Sequence, residues 1–352
     1  MKTALEEEKQ TITQIYIPKR KRLLLTGGCG FVGHHIVEGV LKQTDWEIII
    51  LDALTYAGNL NRLTDISIWD KEKHRVKFIW HDLKAPISET THKMIGDLDY
   101  IWHLAAESHV GRSLEDAVPF AMSNVVGTTH LLEHIKHRQP NLKMYIGFNT
   151  DEVFGSAEIG EYHLETDKFY PSNPYSAAKA AQWCMEYAFA HSFGLPICMV
   201  HSMNIFAERQ HTEKFIPMVV KRILNNEKVI IHGIPGHISQ RHWIHAREIC
   251  NGLLFLTEKG EPKESYNIIG EEKDALWIAN KICQVIKDRD LKEDEIEYFD
   301  FHALRPGHDF RYALDGSKLR NLGWQPKLNL DESLEKTIKW MIKIENRKWL
   351  NL

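Results

Sequence analysis

Three glycines spaced three residues apart constrain the fold of this chain more than any other feature. Gly27, Gly30 and Gly33 follow an apolar run at residues 23–25 and precede a segment with helical character that extends to Leu41. Glycines at such positions permit a tight turn, close approach of the backbone to a pyrophosphate, and close packing of a helix on a strand. The pattern therefore predicts a dinucleotide-binding strand–turn–helix unit, with Phe31 and Val32 beside the cofactor.

A carboxylate about 20 residues beyond the glycines strengthens this prediction. Residues 47–51 form a second apolar run, which ends in Asp52. An aspartate at that position can accept hydrogen bonds from both hydroxyls of an adenosine ribose and would repel a 2′-phosphate. The sequence therefore predicts NAD as the cofactor rather than NADP.

Two further strands are predicted at residues 76–80 and 100–104. Asp82 and Leu83 follow the first of them and are predicted beside the adenine, although an aspartate there could equally cap the next helix. Ala105 and Ser108 follow the second, where small residues let a cofactor lie against the backbone. Helical periodicity resumes over residues 120–138, and this repeated alternation predicts an α/β fold with a Rossmann-type, doubly wound parallel sheet.

A hydroxyl and an acidic pair follow the next apolar run, residues 144–148. They are Thr150, Asp151 and Glu152. In an open α/β sheet the ligand crevice lies outside the carboxyl ends of the strands, so these side chains are expected to reach a site. Adjacent carboxylates in a low-dielectric pocket have divergent pKa values, so that one can act as acid and the other as base. The alternative is a solvated turn, because Thr-Asp-Glu is also common where a helix begins.

A tyrosine and a lysine four residues apart, Tyr175 and Lys179, begin a predicted helix after a proline-rich loop. This spacing places both on one helix face. An ammonium nearby lowers the pKa of a phenol, and we therefore expect Tyr175 to act as a base near neutral pH. The apolar stripe of residues 184–193 is predicted to be core or a dimer face.

Composition excludes several classes of protein. The chain has 352 residues, of which 43% are hydrophobic and 26% charged, and a net charge of −4 without a basic block, so no nucleic-acid partner is expected. The five cysteines lack CxxC spacing, which indicates reduced thiols and a cytoplasmic location. No apolar run approaches the roughly 20 residues of a membrane span, and the N-terminus lacks the apolar core of a signal peptide.

Four histidines near the middle of the chain could suggest a metal cluster. They are His232, His237, His242 and His245. Two glycines and a proline at residues 233–236 indicate strand, turn and strand, in which alternate side chains point to opposite faces. Because this alternation scatters the imidazoles and no carboxylate or cysteine joins them, no metal site is predicted.

Taken together, these motifs resemble the extended short-chain dehydrogenase/reductases, and most closely the nucleotide-sugar 4,6-dehydratases of the dTDP-glucose 4,6-dehydratase type. The resemblance runs from about residue 22 to residue 341. Its marks are TGGCGFVG (26–33), DALTYAGNL (52–60), HLAAESHV (103–110), SNVVGT (123–128), TDEVFG (150–155), PSNPYSAAK (171–179), EKFIP (213–217), YNI (266–268) and RPGHDFRYALD (305–315). Five residues depart from the family pattern: Gly111, Asn149, Phe154, Phe206 and Ala207.

The resemblance implies an activity and a site. In a nucleotide-sugar 4,6-dehydratase, Tyr175 with Lys179 would start oxidation at C4 of the hexose, with NAD+ as hydride acceptor and Thr150 on the 4-oxygen. Glu152 would then remove the C5 proton, Asp151 would protonate the departing 6-hydroxyl, and hydride would return to C6. Residues implied at the nucleotide sugar are Ser108, Thr150, Asn204, Lys214, Arg241, Asn267, Arg305 and His308.

The same resemblance implies an organisation for the whole chain. An N-terminal extension (1–21) would precede an NAD-binding domain (22–200) and a smaller mixed α/β substrate-binding lobe (201–352) interleaved with the sheet. Helices at 120–138 and 175–193 would form a homodimer interface. The motifs are compatible with dTDP, UDP, GDP or CDP sugars. Two alternatives remain: a nucleotide-sugar 4-epimerase or 4-dehydrogenase on the same fold, and a non-catalytic NAD-loaded binding protein.

Overall fold

A computed structural model of the chain describes residues 20–299 and 310–352. The strands in this part of the chain are β1 (Arg22–Thr26), β2 (Glu47–Asp52), β3 (Val76–Trp80), β4 (Tyr100–His103), β5 (Met144–Thr150), β6 (Ile197–Ser202), β7 (Asn204–Phe206), β8 (Val229–Ile234), β9 (His237–Ile238), β10 (Gln240–His245), β11 (Ser265–Ile268), β12 (Glu271–Asp274) and β13 (Ile296–Phe299).

The helices alternate with these strands over most of the chain. They are α1 (Phe31–Gln43), α2 (Asn61–Thr64), α3 (Trp69–Glu72), α4 (Glu89–Ile95), α5 (Val110–Glu115), α6 (Val118–Phe120), α7 (Gly127–Arg138), α8 (Pro174–Phe193), α9 (Phe215–Leu224), α10 (Ala246–Lys259), α11 (Ala275–Lys287), α12 (Ser317–Leu322) and α13 (Leu330–Ile342). Within the described ranges, no helix is both long and apolar enough to cross a bilayer.

The main sheet has the strand order β11-β6-β5-β4-β1-β2-β3, and every pairing in it is parallel. The chain runs outward from β1 to β3 and then returns to place β4 on the other side of β1. At such a reversal the loops on either side of the sheet diverge and leave a crevice at the carboxyl ends of the strands. The predicted fold class is confirmed, and the site is expected above β1, β4 and β5.

Apolar side chains cover both faces of the main sheet. One buried cluster packs α1 and α10 against residues such as Leu23 and Ile146, and the other packs α4, α7 and α8 against residues such as Leu24 and Tyr145. Alternate residues of each strand therefore enter opposite layers of core, as the pleat requires. The near-continuous apolar runs that predicted these strands follow from burial on both faces.

A smaller lobe, formed by residues that follow β6, has two small sheets, β12-β10-β7 and β13-β8-β9, and its own buried cluster around α9, α11 and α13. It is not separate in sequence from the larger sheet. The segment that follows β10 forms α10, which packs on α1, and β11, which pairs with β6. The histidine segment forms β8, β9 and β10, as its glycines and proline predicted.

A widened helical turn separates α6 from α7. Residues Ala121–Val126 are π-helical, and the side chain of Asn124 in this turn is fully buried. Its Oδ1 accepts from the backbone N–H of Glu107 at 2.8 Å, and its Nδ2 donates to the Glu107 carbonyl at 3.0 Å. The turn thereby anchors the loop that follows β4 beside the crevice.

Candidate active site

A cavity of about 580 Å³ lies at the carboxyl ends of the main-sheet strands and extends toward the smaller lobe. Most of the residues predicted for cofactor, catalysis and substrate line it. They are Gly27, Gly30, Phe31, Val32, Gly33, Asp52, Asp82, Leu83, Ala105, Ser108, Thr150, Asp151, Glu152, Tyr175, Lys179, Asn204, Lys214 and Arg241. Residues far apart in sequence thus meet in one cleft.

The glycine turn forms the floor of the cleft and leaves room there for a ligand. Gly27 has φ +72°, and a Cβ on it would lie 2.9 Å from the backbone nitrogen of Ala105. A Cβ on Gly33 would collide with the carbonyl oxygen of Gly27. Larger residues would therefore disrupt the turn, and the N-terminus of α1 faces the opening as a pyrophosphate requires.

Asp52 ends β2 with its carboxylate almost fully buried. Its Oδ2 accepts from the backbone N–H of Cys29 at 2.9 Å, and its Oδ1 accepts from that of Leu54 at 2.8 Å. Burial raises the pKa of Asp52, and these two hydrogen bonds oppose the rise. Since a carboxylate can accept about four hydrogen bonds, capacity remains for the hydroxyls of a ribose. The geometry fits an adenosine of NAD.

The predicted adenine end of the cleft is more exposed than its floor. The Asp82 carboxylate lies 3.2 Å from the ammonium of Lys84 and accepts from the Lys84 backbone N–H at 3.0 Å. Leu83 is buried, and its carbonyl bonds to His130 at 2.8 Å. Asp82 thus stabilises its own turn and borders the cavity, whereas the next helix, α4, is capped by Ser88 and not by Asp82.

The acidic pair lies where β5 ends and a 3₁₀ turn, Asp151–Phe154, begins. Asp151 is buried, and its Oδ1 accepts from the Thr150 hydroxyl at 3.0 Å. Burial, and then the charge of Glu152, raise the pKa of Asp151 to about 7. The Glu152 carboxylate instead accepts from Asn173 Nδ2 at 3.3 Å. Adjacent carboxylates therefore have different surroundings, as predicted.

Tyr175 and Lys179 lie on the first turns of α8 and are both buried. Helix α8 begins at Pro174 after a capping box in which Asn173 Oδ1 accepts from the Ser176 backbone N–H at 2.9 Å. A proline at the first helical position and an asparagine cap are preferred at helix starts. The cap therefore determines where the phenol enters the cleft.

The predicted lowering of the Tyr175 pKa is wrong for the chain alone. Burial, and the charges of Glu152 and Asp151, raise the pKa of Tyr175, although a hydrogen bond from Thr150 opposes this. Burial lowers the pKa of Lys179 to about 8. The Lys179 ammonium donates to the carbonyl of Phe148 and to Gln182 Oε1, both at 2.6 Å. Lys179 is not among the groups that shift the pKa of Tyr175, and the prediction left out the two carboxylates that oppose ionisation of the phenol.

The predicted substrate residues divide into two groups. Lys214 and Arg241 border the cavity on the side of the smaller lobe. The positive charge of Arg241 lowers the pKa of Asp151. Burial lowers the pKa of Lys214, and the negative charge of Glu152 opposes that effect. Arg241 Nη1 also donates to the carbonyl of Phe310 at 2.5 Å. Asn204 and Ser108 line the same cavity.

Asn267 does not lie in the cleft. It is fully buried on β11, where its Nδ2 donates to the carbonyls of His163 and Asp315 at 3.2 and 2.9 Å. Those bonds join three segments of chain, so the prediction of a substrate contact at Asn267 is not supported by its position. Arg305, His308 and most of the N-terminal extension lie outside the described residues.

Two departures from the family pattern have a packing explanation. Phe154 is buried with its ring stacked on His163, at 5.4 Å between centroids, and meets His201 edge-on at 4.9 Å. A tyrosine at this position would bury its hydroxyl among aromatic side chains, where the hydroxyl would need a hydrogen-bond partner. Asn149 donates from Nδ2 to the buried carboxylate of Glu186 at 3.1 Å. No contact in the described part of the chain explains Gly111 or Ala207.

Sequence reasoning missed polar residues that hold the catalytic side chains. Asn173 binds Glu152, and Gln182 binds Lys179, yet neither was singled out. The positions 175, 179, 182 and 186 share one face of a helix. Polar residues at the last two of these positions, on a face predicted to be buried, could have indicated a contact with Lys179. No group of three or more His, Cys, Asp or Glu suited to a metal occurs within residues 20–299 and 310–352.

Comparisons with known proteins agree with this geometry. A sequence model of the GDP-mannose 4,6-dehydratase family matches residues 24–337. The chain is 34% identical over 321 residues to the low-salt glycan biosynthesis protein Agl12 of Haloferax volcanii, covering 91% of this chain and 98% of that protein. It is 32% identical to a dTDP-glucose 4,6-dehydratase of Haemophilus influenzae, covering 91% and 97%. The crystal structure of dTDP-glucose 4,6-dehydratase from Bacillus anthracis in complex with NAD superposes with a TM-score of 0.81 at 30% identity, covering 94% and 98%.

Proposed function

This chain belongs to the GDP-mannose 4,6-dehydratase family, and we propose that it is an NAD-dependent nucleotide-sugar 4,6-dehydratase that removes water from an NDP-hexose such as an NDP-glucose. One observation carries the proposal. Asp151, with a pKa raised to about 7, adjoins Glu152 in a cleft that also holds Tyr175 and Lys179. A redox reaction at C4 alone needs no second acid–base pair, whereas elimination across C5 and C6 needs both an acid and a base.

The cofactor is assigned to the glycine turn and its surroundings. The α1 N-terminus and the space above Gly27 and Gly33 suit a pyrophosphate, and the buried Asp52 suits the ribose hydroxyls of NAD. Bound NAD+ would supply the hydride acceptor for C4, and the NADH so formed would supply the hydride donor for C6. We divide the chain accordingly: residues 22–200 bind the cofactor, and residues 201–352 contribute the substrate lobe.

The reaction begins at Tyr175. The phenolic oxygen accepts the proton of the hexose 4-hydroxyl while hydride leaves C4, and Thr150 donates a hydrogen bond to the 4-oxygen. Lys179 is buried beside the carbonyl of Phe148 with its pKa near 8, so it is charged at neutral pH and stabilises the phenolate. Burial and two carboxylates raise the pKa of the phenol in the chain alone, so Tyr175 must first lose its own proton to solvent before it can act as the base, and the positive charge of Lys179 favours that loss.

The acidic pair performs the elimination. The new 4-keto group acidifies the C5 proton, which Glu152 removes, while Asp151 gives its proton to the 6-hydroxyl and water leaves. Hydride then returns to C6 and a proton to C5, so the cycle loses one water and consumes no oxidant. Protonated Asp151 fits this step because its raised pKa keeps the carboxyl neutral below pH 7.

Contacts to the nucleotide sugar are assigned to the lobe side of the cleft. Lys214 and Arg241 supply positive charge, and arginine is suited to paired hydrogen bonds with a diphosphate. Asn204 and Ser108 border the same space and supply neutral donors and acceptors. This arrangement supports a diphosphate-linked sugar rather than a free hexose.

We also infer a cytoplasmic homodimer. Four apolar side chains on or beside the two predicted interface helices are between 38% and 67% exposed: Val118, Met122, Tyr187 and Phe193. Covering them in a symmetric contact between copies is favoured by the hydrophobic effect. The five cysteines are all free thiols, which supports a reducing compartment. A monomeric mass by light scattering at micromolar concentration would contradict the dimer.

The activity is tested by incubating the purified protein with NAD+ and a panel of dTDP-, UDP-, GDP- and CDP-hexoses. Mass spectrometry should detect loss of 18 Da from one or more of them, as expected for loss of one water, with no net formation of NADH. Epimerisation without mass change, or accumulation of NADH with a dehydrogenated sugar, would overturn the dehydratase assignment.

A further inference from the structure

Helix α8 carries two more polar residues on the buried face that presents Tyr175 and Lys179. Gln182 and Glu186 lie three and seven residues after Lys179, and both are 0% exposed. Acidic side chains are almost never fully buried unless they are paired or hydrogen-bonded. The reaction assigned to the cleft uses neither residue, so the cost of burying them requires an explanation.

A directed series of hydrogen bonds links the two residues to the catalytic lysine. The Lys179 ammonium donates to Gln182 Oε1 at 2.6 Å, and Gln182 Nε2 donates to Glu186 Oε1 at 2.9 Å. Because an ammonium has no acceptor, it fixes which end of the amide it meets. The NH₂ group of Gln182 must therefore face Glu186, which accepts.

Glu186 receives two further donors from strand β5. The Tyr145 hydroxyl donates to Oε1 at 2.9 Å and Asn149 Nδ2 donates to Oε2 at 3.1 Å. Three donors that point at one carboxyl group stabilise its ionised form, which accepts from all of them. Burial raises the pKa of Glu186, and the three donors together with the Lys179 charge oppose that rise.

The strand is shaped to admit this carboxylate. A Cβ on Gly147 would collide with both oxygens of Glu186, so glycine at this position provides the space. Asn149 lies two residues further along β5 and donates to the same carboxylate. The side chain of a serine is too short to reach as far. The same strand ends at Thr150, directly before Asp151. Glu186 therefore joins the strand that delivers the acidic pair to the helix that delivers Tyr175 and Lys179.

We propose that Glu186 is a positioning residue that acts through Gln182 to keep Lys179 charged and fixed in place, and that it thereby sets the alkaline limit of C4 oxidation. The inference rests on the proposed dehydratase function. Glu186 does not line the cleft, and its negative charge supports the buried ammonium of Lys179. Removing that charge leaves a buried ammonium with neutral acceptors only.

Other titratable groups packed around the pair do not account for an alkaline limit near pH 8. Burial lowers the pKa of His103 on β4 and of His201 on β6 to about 3, and raises that of Cys198 on β6 to about 12. Burial also raises the pKa of Tyr145 on β5 and of Tyr175 on α8. Lys179 has a pKa of about 8, lowered by burial and raised by Glu186. Among the groups named in this paragraph, Asp151, with a pKa of about 7, is the other one that ionises near this pH.

The test removes Asp151 from the titration. In an Asp151→Asn background, single-turnover formation of NADH from NAD-loaded protein and dTDP-glucose reports C4 oxidation alone. Its rate should fall with rising pH as Lys179 loses its proton. Adding Glu186→Gln should move this alkaline limb to lower pH by about one unit, because a supporting charge is lost. The rate at pH 6.5 should change less than threefold.

Two further variants keep the result interpretable. Tyr145→Phe removes one donor to Glu186 but leaves its charge, so the limb should stay within about 0.3 units of the background. Gln182→Met preserves both charges and interrupts the bridge, so it should move the limb downward even if Glu186→Gln fails to fold. An unmoved limb in Glu186→Gln, or in Gln182→Met, would overturn the proposal. If the parent chain removes no water from any nucleotide sugar, the dehydratase function fails instead.

Discussion

The cofactor side and the catalytic side of the cleft are built in different ways. On the cofactor side, backbone geometry dominates: Gly27 has a left-handed conformation, Gly33 packs against the turn, and the carboxylate of Asp52 binds two backbone N–H groups. On the catalytic side, buried side chains meet one another, with Asp151 and Tyr175 both shifted in pKa by burial and by neighbouring charge. The first side recognises a ligand by shape, and the second depends on electrostatics.

This difference predicts how each side responds to substitution. A side-chain change on the cofactor side should weaken binding modestly, because several backbone groups share the ligand. A change on the catalytic side should act on rate, because each proton transfer has one donor and one acceptor. The variants below test that contrast, beginning with the largest effect.

Tyr175→Phe should show the largest loss and should affect the first step. Without the phenolic oxygen nothing accepts the 4-hydroxyl proton, and general-base catalysis contributes about 10²–10⁴ to rate. Neither product nor NADH should form in a single turnover, whereas the affinity for NAD measured by calorimetry should stay within about threefold of the parent. A large loss of NAD affinity would contradict the proposed difference between the cofactor side and the catalytic side of the cleft.

Asp151→Asn and Glu152→Gln should lower turnover by about 10²–10⁴ while leaving C4 oxidation intact. NADH absorbance should therefore accumulate in a single turnover of either variant. Glu152→Gln should also fail to exchange the C5 proton with solvent deuterium. The matched control is Glu158→Gln, which changes an exposed carboxylate on the same loop and should turn over at the parent rate. Parent-like turnover in Glu152→Gln would show that the pair is structural.

Asp52→Asn should have a smaller effect, confined to the cofactor. The amide keeps one acceptor oxygen but loses the charge that binds ribose hydroxyls and repels a 2′-phosphate. NAD affinity should fall about tenfold, equivalent to about 1.4 kcal/mol, and the preference for NAD over NADP should narrow. At saturating NAD the turnover rate should stay close to that of the parent. Tighter binding of NADP than NAD by the parent would refute the cofactor assignment.

The smallest effect concerns stability and its pH dependence. The folded pKa of Asp151, about 7, exceeds its ordinary value of 3.8, so the folded state binds more protons and loses stability as pH rises between those values. Asp151→Asn removes this loss and should raise the free energy of unfolding at pH 8 by about 1–3 kcal/mol. The gain in Tm should be smaller at pH 5, and exposed Glu158→Gln should show no such trend. An equal gain at both pH values would contradict the assigned pKa.

The same contrast explains which parts of the molecule were predictable from sequence. The glycine turn and Asp52 depend on residue types at fixed separations along one strand–turn–helix unit, so local pattern was sufficient. The acidic pair at Asp151 and Glu152 was predictable because two carboxylates at a strand end have few roles. The parallel, doubly wound character of the main sheet followed from repeated alternation of strand and helix, whereas its strand order came only from the structure.

Long-range packing determined the features that the pattern did not contain. The ionisation of Tyr175 depends on carboxylates 23 and 24 positions earlier, which raise the pKa that Lys179 alone was expected to lower. Asn267 belonged to a motif of the family, yet its amide joins backbone segments away from the cleft. Glu186 lay in a stripe interpreted as apolar, and its partner Tyr145 comes from another element.

The π-helical turn at Ala121–Val126 makes this region sensitive to chain length. Such a turn contains one residue more than an α-helical turn, and each residue of a helix advances the next by about 100°. The hydroxyl of Thr128 on α7 lies 2.9 Å from Nε2 of His103 on β4. Losing one residue from the π-helical turn would rotate α7 and move Thr128 away from His103. In homologues of this chain, insertions and deletions should therefore occur outside this turn.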